Sequence, residues 1–272
     1  MGLKAFSLAL IVPALTVFCA FFLIPMGKLV PISLSSPSGI GIYLEVLSNP
    51  RYLGSLRDTA ILSMGVTLAA LALGGMTGIF LERNQFFGRE VMIAALTLPL
   101  SFPGVVIGFM VILWAGRLGL LGSLGNALFG YKPIFAYSSA GLFVGYLYFS
   151  LPRVVLTVMA SAGKLEKARE EAARTLGSGP FKALRDVALP ALWPSLLSTG
   201  AICFATSMGA FGTAFTLATD INVLPILIYS EYTLLANLSV ASALSLILGL
   251  ITWAILWAVR SLTGIAPEGS MA

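Results

Sequence analysis

Side chains able to do chemistry are scarce in this sequence. They gather in a charged stretch, GKLEKAREEAARTLGSGPFKALRDVALPALWP at 163–194, and in a single arginine, Arg153, set within an apolar run. Neither makes a reaction centre. Histidine is absent, which excludes Ser-His-Asp catalysis, histidine-ligated metals and a histidine proton relay. A Ser-Lys pair would need a lysine deep within an apolar run, and none lies there. Cys19 and Cys203 both sit in apolar stretches and read as small buried hydrophobes rather than a disulfide. The expectation is therefore no catalytic residue, no metal and no cofactor. What remains is recognition: ion pairing and docking at 163–194, and contact with an anion or a gate at Arg153.

Composition says what must position these residues. Hydrophobic residues make up 58% of the 272, charged residues only 10%, and mean hydropathy is +0.97. A soluble domain carries about 25% charged residues, so this chain cannot wet a globular surface. It reads as an all-α, multi-pass membrane protein, one domain over 1–272. The net charge of +5 is no nucleic-acid signal here, because in a membrane protein Lys and Arg report orientation.

A bilayer core of about 30 Å needs about 20 apolar helical residues. That ruler places six spans, at 6–30, 57–82, 91–115, 136–162, 195–218 and 237–260. The apolar run from Ala5 to Val30 is too long for a signal-peptide core and reads as the first span. A short amphipathic piece with Glu45 and Arg51 follows it, a Gly-rich loop with Arg117 and Lys132 follows the third span, and the tail after 260 is expected to fray. Gly74/Gly78, Gly104/Gly108 and Gly141/Gly145 have the small-xxx-small spacing of close helix packing. Pro99 and Pro103 each remove a backbone donor, so the freed carbonyls must find partners. No internal repeat emerges.

Six spans put both termini on one side. With the N-terminus inside, ten basic residues (Lys4, Arg83, Arg89, Lys164, Lys167, Arg169, Arg174, Lys182, Arg185, Arg260) lie inside against five outside (Lys28, Arg51, Arg57, Arg117, Lys132). The excess favours cytoplasmic termini and a cytoplasmic 163–194 stretch.

Within that stretch Leu165, Ala168, Ala172 and Leu176 recur at helical spacing, while Glu166, Lys167, Arg169, Glu170 and Arg174 point elsewhere. Gly177, Gly179 and Pro180 end this helix. A second, Phe181 to Ala188, is expected to stop before Pro190. An interfacial helix on the lipid surface is one reading. The apolar face is mostly alanine with no aromatic anchor before Phe181, which suits close approach to a protein better.

These residues carry a resemblance. Glu171-Ala172-Ala173, then Gly177, then Leu189-Pro190 resembles the EAA loop of permease subunits of type I binding-protein-dependent ABC importers. Weaker likeness extends over about 55–260, through SLRDTAILS, LPLSFPGVVIG, YFSLPRVVL and SMGAFGTAFTL. The resemblance implies a bacterial inner-membrane subunit without an ATPase of its own, and no G-x-x-x-x-G-K-[S/T] phosphate loop occurs here. It implies a pair of cytoplasmic ATP-binding subunits, a second permease subunit (identical or homologous) and an extracytoplasmic solute-binding protein, with membrane lipid around and no nucleic acid. Glu170 and Glu171 would meet the ATPase, Ala172 and Ala173 would allow close seating, Gly177 would make the turn, and Leu189-Pro190 would lead back into the membrane. GAFGT and LPILIYSE lean toward the subgroup handling polyamines, ferric iron and aminoethylphosphonate.

Arg153 departs from the family, whose members commonly carry an apolar residue after the proline. It either snorkels or pairs with a carbonyl near a vestibule, which its reach favours, or lines the pathway and meets an anionic solute or a gate partner. Ser207, Met208, Phe211 and Thr213 make a mixed polar and aromatic face that suits either a pathway or ordinary packing. Asp220 and Glu231 flank an outer loop and read as solvated charges. A secondary transporter or channel with an interfacial amphipathic helix is the alternative. It would need intramembrane carboxylates, and the acidic residues nearest the spans, Asp58 and Glu82, lie at span ends.

Overall fold

The computed structural model describes residues 11–165, 184–217 and 222–263, with 175, 179 and 182 between. Every regular element among them is helical. In chain order these are α1 (Ile11–Leu34), α2 (Ile42–Ser48), α3 (Pro50–Arg83), α4 (Arg89–Thr97), α5 (Gly104–Ala115), α6 (Leu120–Phe129), α7 (Ser139–Gly163), α8 (Leu184–Met208), α9 (Phe211–Leu217), α10 (Leu224–Tyr229) and α11 (Leu238–Thr263). Among the described residues six helical stretches are long and apolar enough to cross a membrane: Ile11–Leu34, Pro50–Arg83, Gly104–Phe129, Ser139–Gly163, Leu184–Met208 and Leu238–Thr263. The tail beyond 263 lies outside the described residues.

The chain forms two compact units. The smaller comprises residues up to Ser55 together with Leu227–Leu250. Here the Ser33 hydroxyl pairs with the Tyr43 hydroxyl at 2.7 Å, and Ser35 with Ser239 at 3.2 Å. The outward side chains of α1 are apolar, Phe18, Phe21, Phe22 and Ile24 among them, as expected of a lipid-facing helix. Glu231 does not behave as a solvated loop charge. It is 1% exposed, within a π-helical turn at Ser230–Leu234 that continues α10. Tyr52 donates to its carboxylate at 3.2 Å and Arg51 at 3.4 Å. The pairing is between residues 180 apart, so loop composition could not reveal it.

The larger unit comprises Leu56–Ile226 and the residues from Ile251 onward. Its helices meet through glycines. A Cβ on Gly74 would lie 2.8 Å from Val154 Cβ, and one on Gly78 would lie 2.8 Å from the Val155 carbonyl oxygen. α3 therefore seats directly on α7. Gly104 faces Thr213 and Gly108 faces Thr216, so α5 seats on α9. Gly145 of α7 faces Thr213 and Leu217, while Gly141 meets its own helix entrance at Ala136. Leu192, Leu196 and Cys203 of α8 pack with Val154 and Val158 of α7. Close approach maximises dispersion contacts where lipid offers no hydrophobic drive between helices.

Several boundaries differ from those expected. The stretch 91–115 is broken: α4 ends in a 3-10 turn at Leu98–Ser101, Phe102 is extended, and α5 begins at Gly104. Pro103 forces this, because the residue before a proline is pushed out of the α region. The Gly-rich loop holds the ten-residue helix α6. Pro190 does not stop a helix, since α8 runs through it and through Pro194. The reason is a π-helical turn at Leu184–Ala188 immediately before, whose wider winding eases the clash of the proline ring with the carbonyl four residues earlier. Among the described residues the fifth span covers Leu184–Met208, ending earlier than expected, and the chain restarts as α9.

Candidate functional site

The breaks in the larger unit converge on one cavity. Pro99, Leu100, Phe102 and Gly104 supply one wall from the 98–104 break, and Ala210, Gly212 and Thr213 another from the break between α8 and α9. Ile107, Phe149, Arg153 and Thr206 complete the lining, around a volume of about 320 Å³. Arg153 is its one charged side chain, and no carboxylate lines it among the described residues.

Side chains of neighbouring helices bond backbone carbonyls at the breaks. Tyr146, fully buried on α7, donates its hydroxyl to the Ala210 carbonyl at 2.7 Å. Thr213 donates to the Gly104 carbonyl at 3.0 Å. Irregular backbone at membrane depth is tolerated only where protein or a wet cavity supplies such partners.

Arg153 is half-buried and lies on the cavity. Its Nη1 donates to Thr206 Oγ1 at 3.0 Å, across from α7 to α8. Thr206 directs its own hydrogen to the carbonyls of Ile202 (2.9 Å) or Cys203 (3.0 Å), so its oxygen meets Arg153 purely as an acceptor. Sequence reading missed Thr206. Its type is unremarkable in CFATSM, and its pairing with a residue 53 positions earlier leaves no sequence trace.

The other expected pathway residues divide. Thr213 lines the cavity, with its hydroxyl occupied by Gly104. Ser207 and Met208 are fully buried and outside the lining, and the Ser207 hydroxyl is a buried group without a hydrogen-bond partner among the described residues. Phe211, 37% exposed, is also outside the lining and packs against Phe215 with ring centroids 5.2 Å apart. Among the described residues no group of three or more Cys, Asp or Glu gathers as a metal site.

Of the coupling segment, Glu170, Glu171, Ala172, Ala173 and Gly177 lie outside the described residues. Leu189 and Pro190 are exposed near the start of α8. Where the segment leaves α7, Gly163 abuts the Glu82 carboxylate, which lies 3.9 Å from the Arg89 guanidinium.

Residues 70–265 match the family described as the binding-protein-dependent transport system inner membrane component. The chain belongs to that family. It is a multi-pass membrane protein and a permease subunit of an ABC importer. Among its relatives, the sulfate transport system permease protein CysT of Salmonella typhimurium is 31% identical over 219 residues, 80% of this chain and 77% of that protein. Salmonella typhi PhnU, which carries the name of a 2-aminoethylphosphonate transport system permease, is 28% identical over 245 residues, 88% of this chain and 84% of that protein. A solved structure of a bacterial alginate ABC transporter, in complex with an alginate pentasaccharide-bound periplasmic protein, contains a chain of similar fold. Its TM-score is 0.83 at 14% identity, covering 96% of this permease and 94% of that chain.

Proposed function

We propose that this permease forms half of the membrane pathway of an ATP-driven importer, and that the solute is a small oxyanion of the sulfate or phosphonate kind. ATP hydrolysis takes place on separate cytoplasmic subunits, one for each of two permease chains, identical or homologous. Glu170, Glu171, Ala172, Ala173 and Gly177 dock on the ATPase and follow it, and Leu189-Pro190 carries its motion into α8. A solute-binding protein delivers the solute from outside. The ten-to-five bias of basic residues supports cytoplasmic termini in a bacterial inner membrane.

The observation that carries the solute class is Arg153, a cation in a cavity with no lining carboxylate among the described residues. It would repel a polyamine or a bare metal cation and attract an anion. The relatives' sulfate and 2-aminoethylphosphonate names support the same class.

Affinity purification of the full-length chain, extracted from membranes beside Glu171→Arg, tests the coupling. The expected result is a cytoplasmic ATPase with the first and much less with the second, because the substitution reverses a charge at the docking face. Uptake of labelled sulfate and 2-aminoethylphosphonate by vesicles containing the complete complex tests the solute. Uptake by the purified chain alone, driven by an ion gradient, would overturn the proposal in favour of a secondary transporter.

A further inference from the structure

The proposed import of an oxyanion requires that its charge be met inside the membrane, and the following rests on that reading. We infer that the cavity around Arg153 is an anion-contact site on the translocation pathway, where Arg153 exchanges its hydrogen bond to Thr206 for the oxygens of a sulfate- or phosphonate-like solute.

Arg153 sits ten residues before the end of α7 at Gly163, a depth at which an arginine is costly to insert and marks a functional site unless a partner neutralises it. No such partner lines the cavity: the side chains it bonds, the Thr206 hydroxyl and the Cys203 thiol, carry no compensating carboxylate charge, and the lining holds no carboxylate among the described residues. Nor does the side chain simply reach for the water surface, since Nη1 is held across the cavity by α8. A guanidinium has five N–H donors in a fork matched to an oxyanion. Its bond to Thr206 is one that a solute can displace, because an oxyanion adds a Coulomb attraction and a second acceptor oxygen for the fork, neither of which a single neutral hydroxyl offers.

The remaining wall favours this exchange. Pro99, Leu100, Phe102 and Phe149 are apolar, and a weakly polar wall strengthens charge interactions. Thr213 does not compete, its hydroxyl being bonded to Gly104. The volume of about 320 Å³ falls within the about 300–1,000 Å³ of small-ligand sites. Thr206 then acts as the acceptor that receives Arg153 once the solute has left, so the empty pathway does not leave the guanidinium bare.

The test is uptake of labelled sulfate and of labelled 2-aminoethylphosphonate by vesicles bearing the complete complex, with wild type, Arg153→Gln, Arg153→Lys and Thr206→Val. Co-purification of the partner subunits is the check that each variant assembles. For the anion that wild type imports, Arg153→Gln is expected to raise KM about tenfold or more, the size of one lost charge-assisted contact. Arg153→Lys should recover part of this loss. Thr206→Val should lower KM, because the contact it removes competes with the solute, and a rise in KM would count against the exchange. Anion uptake by Arg153→Gln with wild-type KM, in an assembled complex, would overturn the inference while leaving the proposed oxyanion import intact. An equal loss in Arg153→Gln and Arg153→Lys would also overturn it, by showing a packing role rather than a charge. Wild type importing neither anion, but a neutral or cationic solute, would overturn both.

Discussion

Removing the Tyr146 hydroxyl isolates one bond that lets this membrane protein break its helices. Tyr146 is fully buried, and its hydroxyl donates at 2.7 Å to the carbonyl of Ala210, in the gap between α8 and α9. Tyr146→Phe keeps the ring, its packing volume and its edge contact with Phe149, 5.7 Å between centroids. Only the donor is lost. Hydrogen bonds between membrane helices average about 0.6 kcal/mol and reach about 1.7. Leaving the partner buried and unpaired costs about 1–3 kcal/mol. Because the Ala210 carbonyl lies in the gap between two helices and takes its side-chain donor from Tyr146, the upper part of the first range applies. The expected destabilisation is about 1–2 kcal/mol, a five- to thirtyfold change in the unfolding equilibrium at about 1.4 kcal/mol per tenfold.

The assay can use the protein's own thiols. Only two cysteines occur in the chain, and Cys203 is fully buried. With Cys19 replaced by serine, the unfolding of the larger unit exposes Cys203 to a thiol-reactive dye, read across a titration from mild detergent into dodecyl sulfate. Tyr148→Phe is the matched control, since Tyr148 is 38% exposed. Tyr146→Phe unfolding at the same detergent composition as wild type would refute the reasoning and mean that the break at 209–210 is stabilised by other groups.

Two further expectations concern stability, the first read by the same Cys203 titration and the second, in the smaller unit, by loss of helical circular dichroism of the whole chain. Gly78→Ala should cost about 1–3 kcal/mol by overpacking, because its Cβ would meet the Val155 carbonyl oxygen at 2.8 Å, whereas Gly75→Ala should be nearly neutral, its closest neighbour being Leu196 Cδ2 at 3.8 Å. Arg51→Ala and Glu231→Gln, made singly and together, should show a coupling energy of about 1 kcal/mol, small because Arg51 is 54% exposed although Glu231 is buried; additive effects would mean that the pair contributes nothing.

Much of this protein was legible in its sequence for reasons that need no tertiary information. A chain with 58% hydrophobic and 10% charged residues can bury its surface only in lipid, and the length of its apolar runs counts the spans because bilayer thickness is fixed. The Glu171-Ala172-Ala173, Gly177 and Leu189-Pro190 spacing is local, so it could be read without a fold. Glycine pairs spaced four apart place both members on one helix face, and Gly74/Gly78 and Gly104/Gly108 do lie at close contacts.

Tertiary structure decided what depends on which helix stands beside which. Arg153 beside Thr206, Tyr146 beneath Ala210 and Arg51 against Glu231 join residues 53, 64 and 180 positions apart. The type of each residue says only that it needs a polar partner, never which one. Nor could sequence tell a stop from a passage at Pro190, since a proline ends a helix or rides through it according to whether the preceding turn can widen. Glu231 shows the same limit from the other side. A carboxylate beside a loop is solvated unless a helix is packed over it, and that packing exists only in the folded chain.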